Sequence, residues 1–166
     1  MPDLRIGHGY DIHRLQSGGQ LVMGGVVVAD GISAVAHSDG DVVIHAIVDA
    51  ILGALGDGDI GEHFPNTDAS YANAASEVFL IKTKELMAAG GWTITNCDVT
   101  ILAERPKLKQ FKPQMRAFLT ERLGCPVSVK AGTNEGCDEI GRGQAVAAHA
   151  VVLLSRDEVI ESAASR

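Results

Sequence analysis

The sequence has little that could stack on nucleic-acid bases. Of its 166 residues only 4% are aromatic: four Phe, two Tyr and one Trp. Basic charge is also short, with Lys+Arg 14 against Asp+Glu 21 and a formal net charge of -7. A nucleic-acid footprint needs basic surface and stacking platforms, and attachment to an anionic membrane needs a basic patch, so both partners are excluded. Cysteine is scarce. Cys97, Cys125 and Cys137 contain no C-x-x-C pair, which argues against a disulfide framework or zinc knuckle and for free thiols in a reducing compartment. The longest apolar stretch, Val42 to Leu55, holds His45 and Asp49 and is too short to span a bilayer. The N-terminal MPDLRIGHGYDIH lacks an apolar core of signal-peptide length. The expectation is a cytoplasmic protein, or a plastid one if a transit peptide was removed. With no repeat, linker or low-complexity tract, residues 1–166 read as one domain.

Apolar residues make up 46% of the chain, enough to bury a core. Residues 4–14 and 20–29 have the β-rich, partly alternating character of strands. Asp41 to Leu55 reads as a helix, and Ser76 to Ala89 as a second, amphipathic helix ending at Gly90-Gly91. Trp92 to Ala103 reads as a long strand, Phe111 to Leu123 as a helix closed by Gly124, and Val127 to Ala131 and Ala145 to Leu154 as strands. This alternation predicts an α/β or α+β fold, with a single mixed sheet covered by helices on one side.

Polar residues break the pattern in a few places. The 41–55 segment is apolar at nearly every position except Asp41, His45 and Asp49, which share one stripe of a buried helix. One reading has Asp41 capping the helix and His45 and Asp49 satisfying each other; the other makes His45 a metal-ligating imidazole with a carboxylate near it. Asp11 and His13 lie two apart in the first strand, so their side chains project from the same face. With His45 they form an Asp-His-His set suited to zinc with one open coordination position. His37 and Ser38 precede the 41–55 helix, where they could hold phosphate or belong to a capping loop, Ser38-x-x-Asp41. His8 is as open to a structural as to a functional role, His63 reads as a loop residue, and His149 as a satisfied core histidine.

The loop GDGDIGEHFPNTD (56–68) suits either a solvated turn region or a flap over a hydroxylated substrate. AERPKLK (103–109) follows a strand end and supplies Lys107, one of few basic groups for a phosphate. GTNEGCDEIGRG (132–143) also follows a strand and offers Thr133, Glu135 and Arg142 among glycines, where backbone amides can approach an anion.

Taken together, GHGYDIHRL (7–15), AHSDGDVVIHAIVDAILGALGDGDIGEHFPNTD (36–68), NCDVTILAERPKLK (96–109), PQMRAFL (113–119) and TNE with GRG (133–143) resemble the 2-C-methyl-D-erythritol 2,4-cyclodiphosphate synthases of the non-mevalonate isoprenoid pathway. The resemblance covers nearly the whole chain. It implies a homotrimer around a central channel, with active sites at the subunit interfaces. Asp11, His13 and His45 would ligate zinc, and Glu135 a second divalent cation, magnesium or manganese. His37 and Thr133 would stabilise the transition state, and Ser38 would help bind phosphate. Asp59, Ile60 and Gly61 would contact the methylerythritol portion, and Phe64, Pro65, Asn66, Thr67 and Asp68 would form the adjoining loop. Ala103, Pro106, Lys107, Leu108 and Lys109 would form the cytidine pocket, with Gly132, Asn134 and Arg142 completing the substrate contacts. The chain departs from the family pattern at Gly132 and Asn134, where hydroxyl residues are common, at Glu139, where an aromatic is common, and at Asn66, where Asp is usual.

The implied reaction is intramolecular phosphoryl transfer in 4-diphosphocytidyl-2-C-methyl-D-erythritol 2-phosphate, with release of CMP. It needs two repelling phosphates brought into line and their charge neutralised, but no covalent nucleophile. Two other readings fit the Asp-His-His set: a zinc hydrolase acting on phosphoesters, and a non-catalytic zinc-stabilised trimer binding isoprenoid diphosphates. The acidic balance and an anionic substrate are compatible, because Asp11 and Glu135 would recruit the cations that hold the phosphates.

Overall fold

The computed structural model describes residues 3–71 and 74–157. Strand β1 runs unbroken from Asp3 to Met23, and β2 from Val26 to Ala34. The expected break between residues 14 and 20, and a strand over 20–29, are thus replaced by one long strand and a hairpin. Gly24 and Gly25 make the turn with φ of 57° and 74°, the left-handed pair that a two-residue hairpin requires. The polar stretch 14–20 reads as a loop because its strand neighbour is not visible locally. It pairs with β2 from Leu15↔Ala34 onward, with an irregularity between Ser17 and Gln20 where Gly18 and Gly19 take positive φ.

The remaining elements are helix α1 (Val42–Leu55), short α2 (Ile60–His63), α3 (Glu77–Ala89), β3 (Thr93–Leu102), α4 (Lys112–Leu123), β4 (Val127–Gly132), short α5 (Asp138–Gly141) and β5 (Ala145–Arg156), with 3₁₀ turns at Ala69–Tyr71 and Leu108–Gln110. The strands form one mixed sheet in the order β2-β1-β5-β3-β4. Only β3 and β4 pair in parallel, their crossover carrying α4. Three helices and the strands β3, β4 and β5 therefore fall close to their expected positions, whereas β1 and β2 do not.

α1 lies on the sheet as the central element of the core. Its apolar residues, among them Ile44, Ile47, Ile51 and Leu52, pack with Leu21, Met23, Val99, Ile101, Val152 and Leu154 of the strands. Asp41 starts the helix by accepting the Val43 and Ile44 amides, and Gly56 ends it in the left-handed conformation at φ 72°. The helix sits unusually low over β1. A Cβ on Gly7 would stand 1.7 Å from the Ala50 carbonyl oxygen, and one on Gly9 would stand 1.9 Å from that of Ala46.

Among the described residues, the opposite face of the sheet carries no helix contact comparable to this. Leu4, Ile6, Tyr10 and Ile12 of β1 are 56%, 74%, 44% and 45% exposed, and Val151 of β5 is 41% exposed. His8 and His149 lie on the same open face, their ring nitrogens 3.1 Å apart, and Tyr10 packs 4.7 Å from the His149 ring. His149 is thus a half-buried surface histidine and not a core one: inward positions on β5 are taken by Ala148, Ala150 and Val152, which leaves 149 facing out.

Candidate metal centre

Gly7, Gly9, Asp11 and His13 alternate along one face of β1, the face under α1. The two glycines admit the helix; the next two positions then meet it. His45, one residue before the Ala46 carbonyl that crowds Gly9, reaches Asp11 and His13. His45 Nδ1 and His13 Nε2 each lie 2.9 Å from Asp11 Oδ2 and 3.1 Å from each other. Among the described residues this is the one cluster of three ligand-type side chains with converging donor atoms.

The donor set fits zinc. Two imidazole nitrogens and one carboxylate oxygen form a triangle slightly tighter than the roughly 3.3 Å spacing of donors on a tetrahedral ion with bonds of about 2.0–2.1 Å. Three protein donors leave a fourth position for a ligand. Burial pushes the Asp11 carboxyl up, but hydrogen bonds and charge from His13 and His45 outweigh it and hold the group well below the usual carboxylate range. Asp11 is therefore an anion in the folded protein. His45 is nearly enclosed, at 8% exposure, and its other nitrogen, Nε2, lies 2.9 Å from Ser76 Oγ and 3.2 Å from Ser38 Oγ.

The polar stripe of α1 divides into three jobs. Asp41, fully buried, caps the helix and also accepts the Gly24 and Gly25 amides at 2.8 and 2.7 Å, which binds the hairpin turn to the helix start. His45 faces Asp11 and His13. Asp49 does not pair with His45; its Oδ1 accepts the Ile60 amide at 2.8 Å and anchors the start of α2. Asp59 caps that short helix through the Glu62 amide at 3.0 Å, and His63 donates to the Asp57 carbonyl at 2.7 Å. The 56–64 segment is thus a braced structure and not a free turn.

These elements enclose a cavity of about 370 Å³ beside the three donors. Its walls include His37, Ser38, Ile60, Gly61, Phe64 and Asn66, all expected site residues. Val35, Ala36, Tyr71 and Phe79, absent from the expected site residues, complete it. Phe64, Tyr71 and Phe79 pack together with ring centroids 4.9–5.5 Å apart. Nearly half of the chain's few aromatics therefore form one wall. Pro65, Thr67 and Asp68 are exposed beyond it, Asp68 accepting the Ser70 amide.

A second group of expected residues gathers at the ends of the parallel strands β3 and β4. The Ala103 amide donates to the Gly132 carbonyl at 3.1 Å, and the Asn134 amide to Glu104 at 3.1 Å, joining the two loops. Lys107 and Lys109 are exposed and Pro106 is half-buried, whereas the side chains of Ala103 and Leu108 belong to the core. Glu135 stands exposed with φ 50°, and Thr133 donates a hydrogen bond to it. Arg142 pairs with Glu139 at 2.6 Å, so the departure at 139 is engaged with an expected substrate residue. None of residues 103–109 or 132–142 lines the metal-side cavity. On one chain the expected residues thus fall into two separate groups.

Ser76 and Asp39 are the polar residues at the metal centre that sequence reasoning passed over. Ser76 opens the expected 76–89 helix, and nothing local shows that it faces His45. Among the described residues no helix is long and apolar enough to cross a membrane.

A model of the YgbB family matches residues 4–155. The 2-C-methyl-D-erythritol 2,4-cyclodiphosphate synthase of Nitrosococcus oceani is 47% identical over 158 residues, 93% of this chain and 100% of its own length. The bifunctional IspDF of Campylobacter jejuni matches in structure with a TM-score of 0.89 at 35% identity, over 95% of this chain and 44% of that one. The CDP complex of IspF from Plasmodium falciparum matches with a TM-score of 0.81 at 34% identity, over 93% of this chain and 97% of that one. The chain belongs to the YgbB family, that of the 2-C-methyl-D-erythritol 2,4-cyclodiphosphate synthases.

Proposed function

We propose that this chain catalyses the reaction of its family as a phosphorus–oxygen lyase. The 2-phosphate oxygen of 4-diphosphocytidyl-2-C-methyl-D-erythritol 2-phosphate attacks the β-phosphorus. The bond from that phosphorus to the CMP oxygen breaks, and CMP and 2-C-methyl-D-erythritol 2,4-cyclodiphosphate result. The observation that carries this reading is the Asp11–His13–His45 donor triangle at the wall of a preformed cavity, in a chain of this family.

Asp11, His13 and His45 would hold zinc, and Glu135 a magnesium or manganese ion; such cations polarise phosphoryl oxygens and neutralise diphosphate charge. His37 and Ser38 face the same cavity and bind phosphate oxygens, His37 sharing with Thr133 the stabilisation of the transferring group. Ile60 and Gly61 stand on the braced 56–64 segment and, with Asp59, orient the methylerythritol hydroxyls. Phe64 excludes water from one side, next to Pro65, Asn66, Thr67 and Asp68. On the other half-site, the 103–109 loop (Ala103, Pro106, Lys107, Leu108, Lys109) receives the cytidine end, with Lys107, Gly132, Asn134 and Arg142 toward the phosphates. The positioning is the larger task, because the two phosphates repel until both are held.

The two half-sites support a further part of the reading: a homotrimer in which the metal side of one subunit meets the cytidine side of its neighbour. The open sheet face with Leu4, Ile6, Tyr10, Ile12 and Val151 is the surface such an assembly would bury around its axis. Cavity composition also favours synthase over hydrolase, since aromatic and braced backbone walls suit a substrate that must fold on itself.

Purified, metal-replete protein should release CMP from the named substrate and form the cyclic product. A linear product with inorganic phosphate, or no turnover, would reject the reading. His45→Ala should lose bound zinc and activity together; stoichiometric zinc retained in that variant would reject the ligand set. Light scattering should give the mass of three chains, and Ile6→Asp should lower it.

A further inference from the structure

His45 has two ring nitrogens and only one of them can ligate. For Nδ1 to offer its lone pair toward Asp11 and His13, the proton must sit on Nε2. The partners of Nε2 are two serine hydroxyls, Ser76 Oγ at 2.9 Å and Ser38 Oγ at 3.2 Å. A hydroxyl both donates and accepts, so neither contact alone chooses the tautomer.

The surroundings of Ser76 remove that ambiguity. Its Oγ also contacts Asp39 Oδ1, and a carboxylate only accepts. The Ser76 proton is therefore committed to Asp39, and toward His45 the oxygen can act solely as acceptor. Asp39 is itself held in place: Oδ2 takes the Ser76 amide at 3.0 Å, Oδ1 takes the Asp41 amide at 3.1 Å, and its own amide donates to the Ala74 carbonyl at 3.0 Å. Ser38 lacks such a constraint. It accepts the Gly40 amide at 3.2 Å, and its proton stays free to turn to either side.

The helix start gives an independent sign. Ser76 is fully buried and occupies the N-cap position of α3, where serine is favoured because its hydroxyl accepts an amide of the first turn. Here that cap bond is absent. The hydroxyl is turned away from its own helix toward His45 and Asp39, so a local preference is forgone for a contact across the fold.

We propose that Asp39 and Ser76 form a relay that fixes His45 as its Nε2–H tautomer and presents Nδ1 to the metal. Both are positioning residues, acting through His45. The inference rests on the reading of Asp11, His13 and His45 as a zinc site.

The test compares wild type with Ser76→Ala and Ser76→Thr, using zinc alone. Zinc affinity is measured by chelator competition, and the His45 Nε2–H proton is followed by NMR in the zinc-loaded protein. Ser76→Ala should weaken zinc binding about 10–100-fold and expose the Nε2–H proton to fast exchange. Ser76→Thr, which keeps the hydroxyl, should restore both. Asp39→Ala leaves Ser76 in place and decides the matter if a Ser76 variant does not fold: weakened zinc binding supports the relay. Zinc affinity within about threefold of wild type in folded Ser76→Ala or Asp39→Ala, with a protected Nε2–H, would overturn it. Wild-type protein that binds no zinc would instead overturn the metal-site reading on which the relay rests.

Discussion

Gly9 lies directly beneath the Ala46 carbonyl, so close that a Cβ on it would stand 1.9 Å from that oxygen and 2.7 Å from the Ala50 amide nitrogen. The obstacle is helix backbone, which cannot rotate away. Gly9→Ala must push α1 off β1, and His45 moves with the helix while Asp11 and His13 stay on the strand. The expected result is a loss of about 3 kcal/mol or more in urea unfolding, because rigid overpacking is at the costly end of core substitutions. Zinc binding should fall even under conditions where the variant is folded. Wild-type zinc affinity in Gly9→Ala would show that the metal site does not depend on this close approach.

Asp41 joins two elements through one buried carboxylate. Its oxygens accept from Gly24, Gly25, Val43 and Ile44, and the Gly24, Val43 and Ile44 amides are buried away from water. Asp41→Ala should cost about 4 kcal/mol, since each buried donor left without an acceptor costs about 1–3 kcal/mol and the losses overlap. Asp41→Asn keeps an oxygen for three of the four amides and should fall between. Equal stability of the Asn and Ala variants in denaturant would contradict this division.

Asp49 sets a pH dependence. Burial pushes its carboxyl above the ordinary value, against the Ile60 amide, which lowers it. A raised folded value means that the folded state holds the proton more tightly than the unfolded chain. The group's contribution to stability is then full below the unfolded value of about 3.9 and is lost as pH rises through the raised folded value. Asp49→Asn removes the charge and keeps an acceptor for Ile60. In the metal-free protein this variant should gain on wild type as pH rises from about 4 through the raised folded value. A stability difference that is flat over that range, or that moves the other way, would refute the assignment.

Thr83 carries a buried hydroxyl with no hydrogen-bond partner among the described residues. Its replacement by a methyl of the same shape removes a desolvated polar atom and breaks no bond. Thr83→Val should raise stability by about 1 kcal/mol, read as a higher denaturant midpoint with unchanged slope. A lower midpoint would mean that the hydroxyl is satisfied in solution.

Much of the fold was legible because it is written in local periodicity. The apolar run of α1, the capping Asp41, the terminal Gly124 of α4 and the β-rich 92–103 segment each declare themselves within a dozen residues. The β1–β2 hairpin did not, because the strand character of 14–20 comes from its partner in β2 and not from its own composition. His149 misled for a similar reason: apolar neighbours on a strand do not say which face an odd position occupies.

The sequence by itself determined the chemistry available to this protein: Asp11 and His13 on one strand face, His45 on a buried helix, Glu135 in a glycine-rich loop, and too little basic surface to hold phosphates without cations. Tertiary structure alone decided how those groups are used. It brought His45 to Asp11 across 34 residues, gave Asp49 to the Ile60 amide in place of His45, placed Ser76 and Asp39 behind the imidazole, and separated the 103–109 and 132–142 loops from the metal-side cavity. The physical reason is that a polar side chain's partner is set by which backbones pack together. That packing depends on two glycines whose missing side chains register in sequence only as an absence.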